Sequence, residues 1–385
     1  SGIALPDRPV RVLGLGKAAV AMAWGLQDAL GSLPLSGVLA APVPGPVPDG
    51  LDVVQGGHPD PTEGSLIAGD RLLAEAEAAE EGDLVVVLVS GGGSASAEAL
   101  RGGIGLDALA ALNRMLLASG APIGEINTVR RAVSRLKGGG LAVAAAPAHV
   151  VTIAVSDVVG NHLPTIAGGP TVADPNRPGD ARGVLDHLGL TDGTDPAVLA
   201  ALDRSDPGPA PPPGPFVIAA DGATAAAAAA AEARRQGVDA AVERTDLTGP
   251  AHLVGERLAE LTKDGGGPAF RVFAGETTVR LGSAEGNGGR NQEVALAAAP
   301  FLEGTGGLVA SVGTDGVDGP TDAAGGVADG GTIGRGRDAG LDAAAALASH
   351  DSGTYLEGVG GRLVCGPTGT NVGDLMVAWR RSAPG

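Results

Sequence analysis

The most apolar stretch of the chain, residues 84–89 (LVVVLV), breaks off at Ser90 into three glycines and Ser94. A run this continuous and β-branched predicts a strand buried on both faces, as in a parallel sheet. Shorter apolar runs at 10–13 and 149–155 predict neighbouring strands, and a strand near 53 precedes a loop fixed by Pro and Gly. Stretches at 18–30, 68–81 and 106–119 carry helical periodicity, with Met22, Leu26 and Leu30 recurring on one face of the first. The tract 203–215 (DRSDPGPAPPPGP) is too stiff and polar to join a core. It divides the chain into a first domain at 1–205, a linker at 206–215 and a second domain at 216–385. In the second domain a strand at 216–220, a helix at 223–236 and a strand at 238–242 restart the alternation, and a helix at 251–263 follows. Strands at 270–273 and 308–312 lead into polar loops, and the polar loop 366–375 is expected to start a closing helix. The expected fold class is α/β: two α/β domains, the first Rossmann-like with a mostly parallel sheet.

Composition sharpens this reading. A chain of 385 residues exceeds the usual size of a single core. With 44% hydrophobic but only 2% aromatic residues, its cores must be built from Ala, Val, Leu and Ile, and 66 Gly with 28 Pro imply many loops. A net charge of −18 excludes nucleic acid and anionic membranes as partners. The longest apolar stretch, the alanine run at 225–231, is too short to span a bilayer, and no basic-then-apolar leader is present. Cys365 is the single cysteine, so an intrachain disulfide and a CxxC metal site are both excluded. These features predict a soluble, cytoplasmic protein; a homodimer is compatible with them.

Chemistry concentrates in the loops. Lysine occurs only at Lys17, Lys137 and Lys263, and the first two lie in glycine-rich segments of a chain that otherwise uses arginine. Residues 14–19 (GLGKAA) match the GxGxxA dinucleotide pattern, but no acid follows the next strand until Asp49. Lys17 is therefore read as a phosphate ligand, with a surface lysine as the alternative. Ser90, Gly91, Gly92, Gly93 and Ser94 form either a tight strand-to-helix turn or an anion site of exposed backbone donors at a helix N-terminus. His58 is either an acid/base or orienting group or a solvated loop residue. Arg130, Arg131, Arg135 and Lys137 place four cations before a glycine triplet; this is a local anion-binding field or a solvated face. Asp157, just past the strand at 149–155, lies where open α/β sheets bind ligands and is a candidate base or Mg2+ partner, with turn capping as its structural role. In the second domain, Arg290 lies among glycines in GNGGRNQE, suited to a bidentate contact with phosphate or carboxylate. The loop 313–326 carries Asp315, Asp318 and Asp322, oxygen ligands suited to Mg2+.

The ordered set GLGKAA, GGHPDP, LVSGGGSA, INTVRR…KGG, SDVVG…GPT…DP, GETTV, GNGGRNQE, GTDGVDGPTDAAGG and PTGTNV resembles the type II glycerate kinases, or MOFRL family, over nearly the whole chain. The resemblance implies a Rossmann-like first domain, a MOFRL-type second domain, an active site in the cleft between them, and phosphorylation of D-glycerate by ATP and Mg2+. It carries over Lys17, Asp157 and Arg290 as catalytic residues. The Ser90–Ser94 loop, Arg130, Lys137, His58, Glu276, Asn291 and Thr314 become substrate or phosphate contacts, with Asp315 and Asp318 on the metal. The chain departs from the family pattern at Ala132 for His, Gly168 for Ser and Ala274 for Gly, around the acid substrate rather than around the Lys17, Asp157 and Arg290 set. Absence of a GxxxxGK[ST] sequence excludes a P-loop kinase. Two other readings stand beside the kinase: a nicotinamide-dependent hydroxypyruvate reductase, and a catalytically inactive binding protein on the same fold.

Overall fold

A computed structural model describes residues 8–177, 179–203, 209–264, 266–280 and 286–380. The chain divides into two compact units, Ser1–Ser156 with Asn161–Ala219, and Asp157–Gly160 with Ala220–Gly385.

In the first unit, β1 (Val10–Leu15), β2 (Leu35–Ala41), β3 (Leu51–Gln55), β4 (Leu84–Ser90), β5 (His149–Val155) and β6 (Phe216–Ala220) form one sheet ordered β3-β2-β1-β4-β5-β6. β1 to β5 run parallel, and every residue of β4 is buried, as its unbroken apolar run requires. Helices α1 (Ala19–Leu30) and α2 (Glu63–Glu77) connect the outer strands. α2 starts earlier than its apolar periodicity indicates because Thr62 and Ser65 form a reciprocal capping box. The strand order reverses between β1 and β4. Open parallel sheets bind ligands at that switch point, where neighbouring loops diverge to opposite faces.

The helix expected to start after β4 is a single turn. α3 (Gly93–Ser96) makes one turn before Ala97 becomes extended. Beyond it, α4 (Leu106–Ala118), α5 (Ile123–Ala132), α6 (Gly140–Ala144), α7 (Asp180–His187) and α8 (Pro196–Leu202) complete the unit. Leu109, Leu112, Val129, Leu185 and Val198 from this helical set share a separate core.

The sequence reading assigns 216–220 to the second domain, but β6 is instead the edge strand beside β5. The Thr152 N–H donates to the Pro215 carbonyl at 2.9 Å, drawing the end of the proline tract onto the first sheet. Of the linker expected at 206–215, residues 206–208 lie outside the described residues. The remainder is packed: a Cβ at Gly139 would stand 2.7 Å from Pro211 Cγ, and one at Gly214 2.3 Å from the Val150 carbonyl oxygen.

In the second unit, β7 (Ala240–Pro250), β8 (Phe270–Thr278), β9 (Gly307–Gly313), β10 (Gly325–Asp329), β11 (Arg362–Leu363) and β12 (Asp374–Arg380) form a sheet ordered β11-β10-β9-β12-β8-β7. Only β7 and β8 pair in parallel; the other neighbours are antiparallel. The closing helix expected after 366–375 is in fact β12. Its sequence DLMVAWR alternates buried and half-buried positions, putting Met376 and Ala378 in the core. Helices α9 (Gly222–Arg235), α10 (Ala251–Lys263), α11 (Arg290–Leu302), α12 (Thr332–Asp338), α13 (Ala343–Ala348) and α14 (Ser352–Gly358) cover it. α11 is the axis of the unit: Asn291 through Ala299 are all buried, the mark of a helix enclosed on all sides.

α10 approaches α11 closely at Gly255, where a Cβ would fall 2.2 Å from the Val294 carbonyl oxygen. Gly255→Val should therefore lower unfolding stability by about 1–3 kcal/mol through overpacking. Urea denaturation should show a reduced midpoint at unchanged slope.

Candidate active site

In the first unit the two glycine loops at the switch point hold each other. The Lys17 N–H donates to the Gly91 carbonyl at 2.9 Å, and the Ala18 N–H donates to Ser90 Oγ at 3.0 Å. Gly16 has φ 115°, and a Cβ there would collide with the Ser90 carbonyl oxygen and Oγ, both at 2.5 Å. The chain must bear glycine at this position, both for its backbone conformation and for the close approach. Gly16 N–H and Ala19 N–H are bonded to the Ala40 and Gly16 carbonyls at 3.0 and 3.2 Å. The amides of the GxGxxA turn are thus committed internally, leaving no cradle of free donors for a dinucleotide pyrophosphate. β2 also ends without an acid to hold a ribose.

The Gly91, Gly92, Gly93 and Ser94 amides donate no hydrogen bond to the described residues. His58 lies against this loop: a Cβ at Gly92 would stand 2.4 Å from its Cδ2. The structure therefore brings together Lys17, Ser90–Ser94 and His58, as the sequence reading expects of an anion site.

The cationic segment is divided among different tasks. The Arg131 Nε donates to Asp174 at 2.9 Å, and exposed Arg135 faces Glu77 at 3.6 Å. Lys137 is buried and its ammonium is held by buried Glu98, which also accepts from Ser134 Oγ at 2.5 Å. Lys137, expected as an anion ligand, thus has its charge met by Glu98 inside the fold. Its stem passes over Gly168 (φ 78°), where a Cβ would lie 2.7 Å from Lys137 Cδ. The absence of a side chain at Gly168 is what gives that stem room. Arg130 keeps its guanidinium away from any carboxylate within 4 Å among the described residues, its Nε donating to Asn113 Oδ1 at 2.9 Å. Burial lowers its pKa, opposed by the charges of Glu98 and of Asp60 in the His58 loop.

In the second unit, Arg290 opens α11 and reaches the first residue of β12. Its Nε and Nη2 donate to the two oxygens of fully buried Asp374 at 2.7 and 2.9 Å, and its Nη1 faces Glu276 at 3.2 Å. Asn291 Nδ2 donates to Asp374 Oδ1 at 3.0 Å, and Asn291 Oδ1 accepts from Ser311 Oγ at 2.5 Å. Burial works against the Arg290 charge, but the hydrogen bonds and charge of Asp374, with that of Glu276, outweigh it and raise the pKa.

Asp157 belongs to the same unit. Asn371 Nδ2 donates to its Oδ2 at 3.0 Å. Thr314 Oγ1 donates to the Gly373 carbonyl at 2.7 Å and accepts from the Val372 N–H at 2.8 Å, tying the 313–326 loop to the segment leading into β12. Although 47% of its side chain is open, Glu276 has its pKa raised. Desolvation is the main cause; Arg290 opposes it, while Asp374, Asp157 and Asp315 push further up. Arg290 thus meets two carboxylates directly, Asp374 and Glu276, and Glu276 in turn feels the charges of Asp157 and Asp315.

The acidic loop does not act as one metal cluster. Asp318 is buried and caps α11: Oδ1 accepts from the Asn291 N–H at 3.0 Å and Oδ2 from the Gln292 N–H at 2.8 Å. Burial raises its pKa, opposed by these bonds. Asp318, expected as a metal ligand, thus has each carboxylate oxygen hydrogen-bonded to the helix N-terminus. Asp322 is exposed and paired with Arg362. Among the described residues, no group of three or more His, Cys, Asp or Glu side chains is arranged to hold a metal ion. No helix among them is long and apolar enough to cross a membrane.

Sequence reasoning misses Glu98, Asn113, Asn371, Ser311 and Asp374. Asn371 lies inside the quoted PTGTNV motif without a role, and Asp374 follows two residues beyond that motif. A charged residue at the head of an alternating apolar strand was the one signal available for Asp374.

Similarity to known proteins makes this chain a phosphotransferase with a hydroxyl acceptor. A family model described as a domain of unknown function (DUF4147) matches residues 4–203, and the MOFRL family model matches residues 269–374. A glycerate 2-kinase of Pyrococcus horikoshii is 38% identical, the alignment covering 96% of this chain and 87% of the relative. A relative from Agrobacterium vitis, named provisionally as a hydroxypyruvate reductase, is 39% identical over 96% of this chain and 88% of its own. The crystal structure of a glycerate kinase from Thermotoga maritima has a TM-score of 0.86 and 37% identity, covering 97% of this chain and 92% of that one. The chain belongs to the glycerate kinase family with DUF4147 and MOFRL domains.

If Lys137 serves Glu98 rather than a ligand, Lys137→Met should cost about 3–5 kcal/mol of stability by stranding a buried carboxylate. Glu98→Leu combined with Lys137→Met should recover more than half of that loss in the same denaturation assay.

Proposed function

We propose that this protein transfers the γ-phosphoryl group of ATP, with Mg2+, to the 2-hydroxyl of D-glycerate, giving 2-phosphoglycerate and ADP. The observation that carries the reading is Arg290, gripped by buried Asp374 and facing Glu276, a carboxylate on which the charges of Asp157 and Asp315 also act. The name glycerate 2-kinase, borne by the Pyrococcus horikoshii relative, supports the acceptor and the position.

Phosphoryl transfer asks a protein chiefly for in-line positioning and for neutralisation of the equatorial oxygens. Lys17 and Arg290 supply fixed positive charge for that purpose. Asp157, with one oxygen pinned by Asn371, takes the proton of the attacking hydroxyl. The new bond joins that hydroxyl oxygen to the γ-phosphorus, the bond to the β–γ bridging oxygen breaks, and ADP leaves with the electron pair. The glycerate carboxylate is received by the Ser90–Ser94 amides and Arg130, and His58 orients an acceptor hydroxyl.

The residues present suit a divalent cation. The charges of Asp374, Asp157 and Asp315 all act on Glu276, and Mg2+ is commonly held through one or two carboxylates plus substrate phosphates. Asp315 and Glu276, together with the ATP phosphates, would hold it. When bound, it supplies neutralisation of the polyphosphate charge. The internally bonded GxGxxA amides weigh against hydride transfer from a nicotinamide.

An ADP-release assay with Mg·ATP and D- or L-glycerate, with the product identified by 31P and 13C NMR, tests the reading. Turnover of D-glycerate with phosphate on C2 is expected, whereas NADH oxidation by hydroxypyruvate without ADP formation would sink it. Asp157→Asn should lower kcat by about 10²–10⁴-fold, the usual worth of a positioned base, with ATP binding retained by calorimetry. An unchanged kcat would remove Asp157 from the mechanism.

A further inference from the structure

Asp374 has no exposed surface, yet it stands at the first position of β12, between two other strands of the second sheet. Its register partners are glycine on both sides, Gly275 of β8 and Gly313 of β9. Gly275 has no room for a larger residue, and the space at Gly313 is tight. A Cβ at Gly275 would lie 1.9 Å from the Leu247 carbonyl oxygen, and one at Gly313 would lie 3.1 Å from Asp315 Oδ1 and 3.6 Å from Asn291 Nδ2. The carboxylate therefore rises from a floor without neighbouring side chains, into a space filled by Arg290 and Asn291.

Every contact it makes there points one way. Arg290 Nε and Nη2 donate to Oδ2 and Oδ1, Asn291 Nδ2 donates to Oδ1, and the Thr277 N–H approaches Oδ2 at 3.5 Å. Asn291 is in turn held by Ser311 and by Asp318, whose Oδ1 accepts its side-chain amide at 3.3 Å. A planar guanidinium bound through two parallel N–H···O bonds cannot rotate about its long axis, as a lysine ammonium or a singly bonded arginine could. The Nη1 edge is left facing Glu276 at 3.2 Å, on the open side of the group.

We propose that Asp374 is the positioning residue of the transfer reaction: it fixes the plane of Arg290 so that the Nη1 edge meets the transferring phosphoryl group. The inference rests on the kinase reading for its reaction and on this geometry for its mechanism. Asp374 touches no substrate; it acts through Arg290.

The test is a double-mutant cycle with a readout besides activity. Asp374→Asn keeps the shape and one acceptor but loses the charge. It should lower kcat by about 10²-fold, the scale of losing one oriented charge-stabilising group, with the KM for ATP little changed. In an Arg290→Lys background the same substitution should add less than about threefold, because the residue through which it acts is already gone. Full additivity of the two effects, or a wild-type kcat for Asp374→Asn, overturns the proposal.

Should Asp374→Asn fail to fold, Arg290→Ala retains Asp374 and decides the matter. Added guanidinium at millimolar concentration should restore part of its turnover, whereas ammonium should not; equal rescue by ammonium overturns the bidentate grip. Independently of turnover, the Arg290 Nε–H cross-peak in a 15N spectrum, assigned by its loss in Arg290→Lys, should exchange slowly in the unaltered protein. If the unaltered protein phosphorylates no acid, the kinase reading has failed, and this signal alone decides whether Asp374 holds Arg290. A rapidly exchanging Nε–H in the unaltered protein overturns the proposal.

Discussion

A carboxylate with no exposed surface is tolerated only if a charge and several hydrogen bonds meet it where it lies. Asp374 imposes that constraint on the second unit. Its neighbours across the sheet are glycines, the helix that reaches it is enclosed on all sides, and the first residues of that helix, Arg290 and Asn291, are its partners. Asp318 satisfies the adjoining helix N–H groups and so prevents α11 from shifting along its axis relative to the acidic loop. The arrangement of strands, helix start and loop can be understood as the means by which one buried negative charge is kept neutralised.

The first unit obeys the same rule with different residues. Glu98 is buried and takes Lys137 and Ser134 as partners, which converts an apparently available ammonium into part of the scaffold. The two glycine loops at the switch point satisfy one another through Lys17, Ala18, Ser90 and Gly91. What is not consumed in this way is informative. Among the described residues, the amides of Gly91 to Ser94 donate no hydrogen bond and the Arg130 guanidinium pairs with no carboxylate, and it is to these groups that the proposed function assigns the carboxylate of a small acid. Internal satisfaction thus separates functional polar groups from structural ones more sharply than residue type does.

Much of this was legible beforehand because it is written in short-range pattern. An unbroken apolar run requires burial on both faces, so β4 and its glycine loop followed from local sequence. Ordered loop motifs were enough to indicate the family. The sheet that β6 joins, the single-turn length of α3 and strand β12 were read otherwise, for a common reason. Each is decided by a neighbour distant in sequence: β5 for β6, and β8 and β9 for β12. At Ala97 and Glu98 the chain instead runs against α2, where the Glu98 N–H donates to the Ser65 carbonyl and Glu98 backbone lies on Gly69.

The sequence by itself determined the α/β alternation, the position of the glycine loops and the identity of the residues capable of charge chemistry, because periodicity, backbone freedom and side-chain type are local properties. Tertiary structure alone decided which charges remain available. Lys137 meets Glu98 across 39 residues and Arg290 meets Asp374 across 84. No spacing rule along the chain encodes such meetings. They arise where the packed strands and helices leave a carboxylate without water, and the nearest cation must take its place.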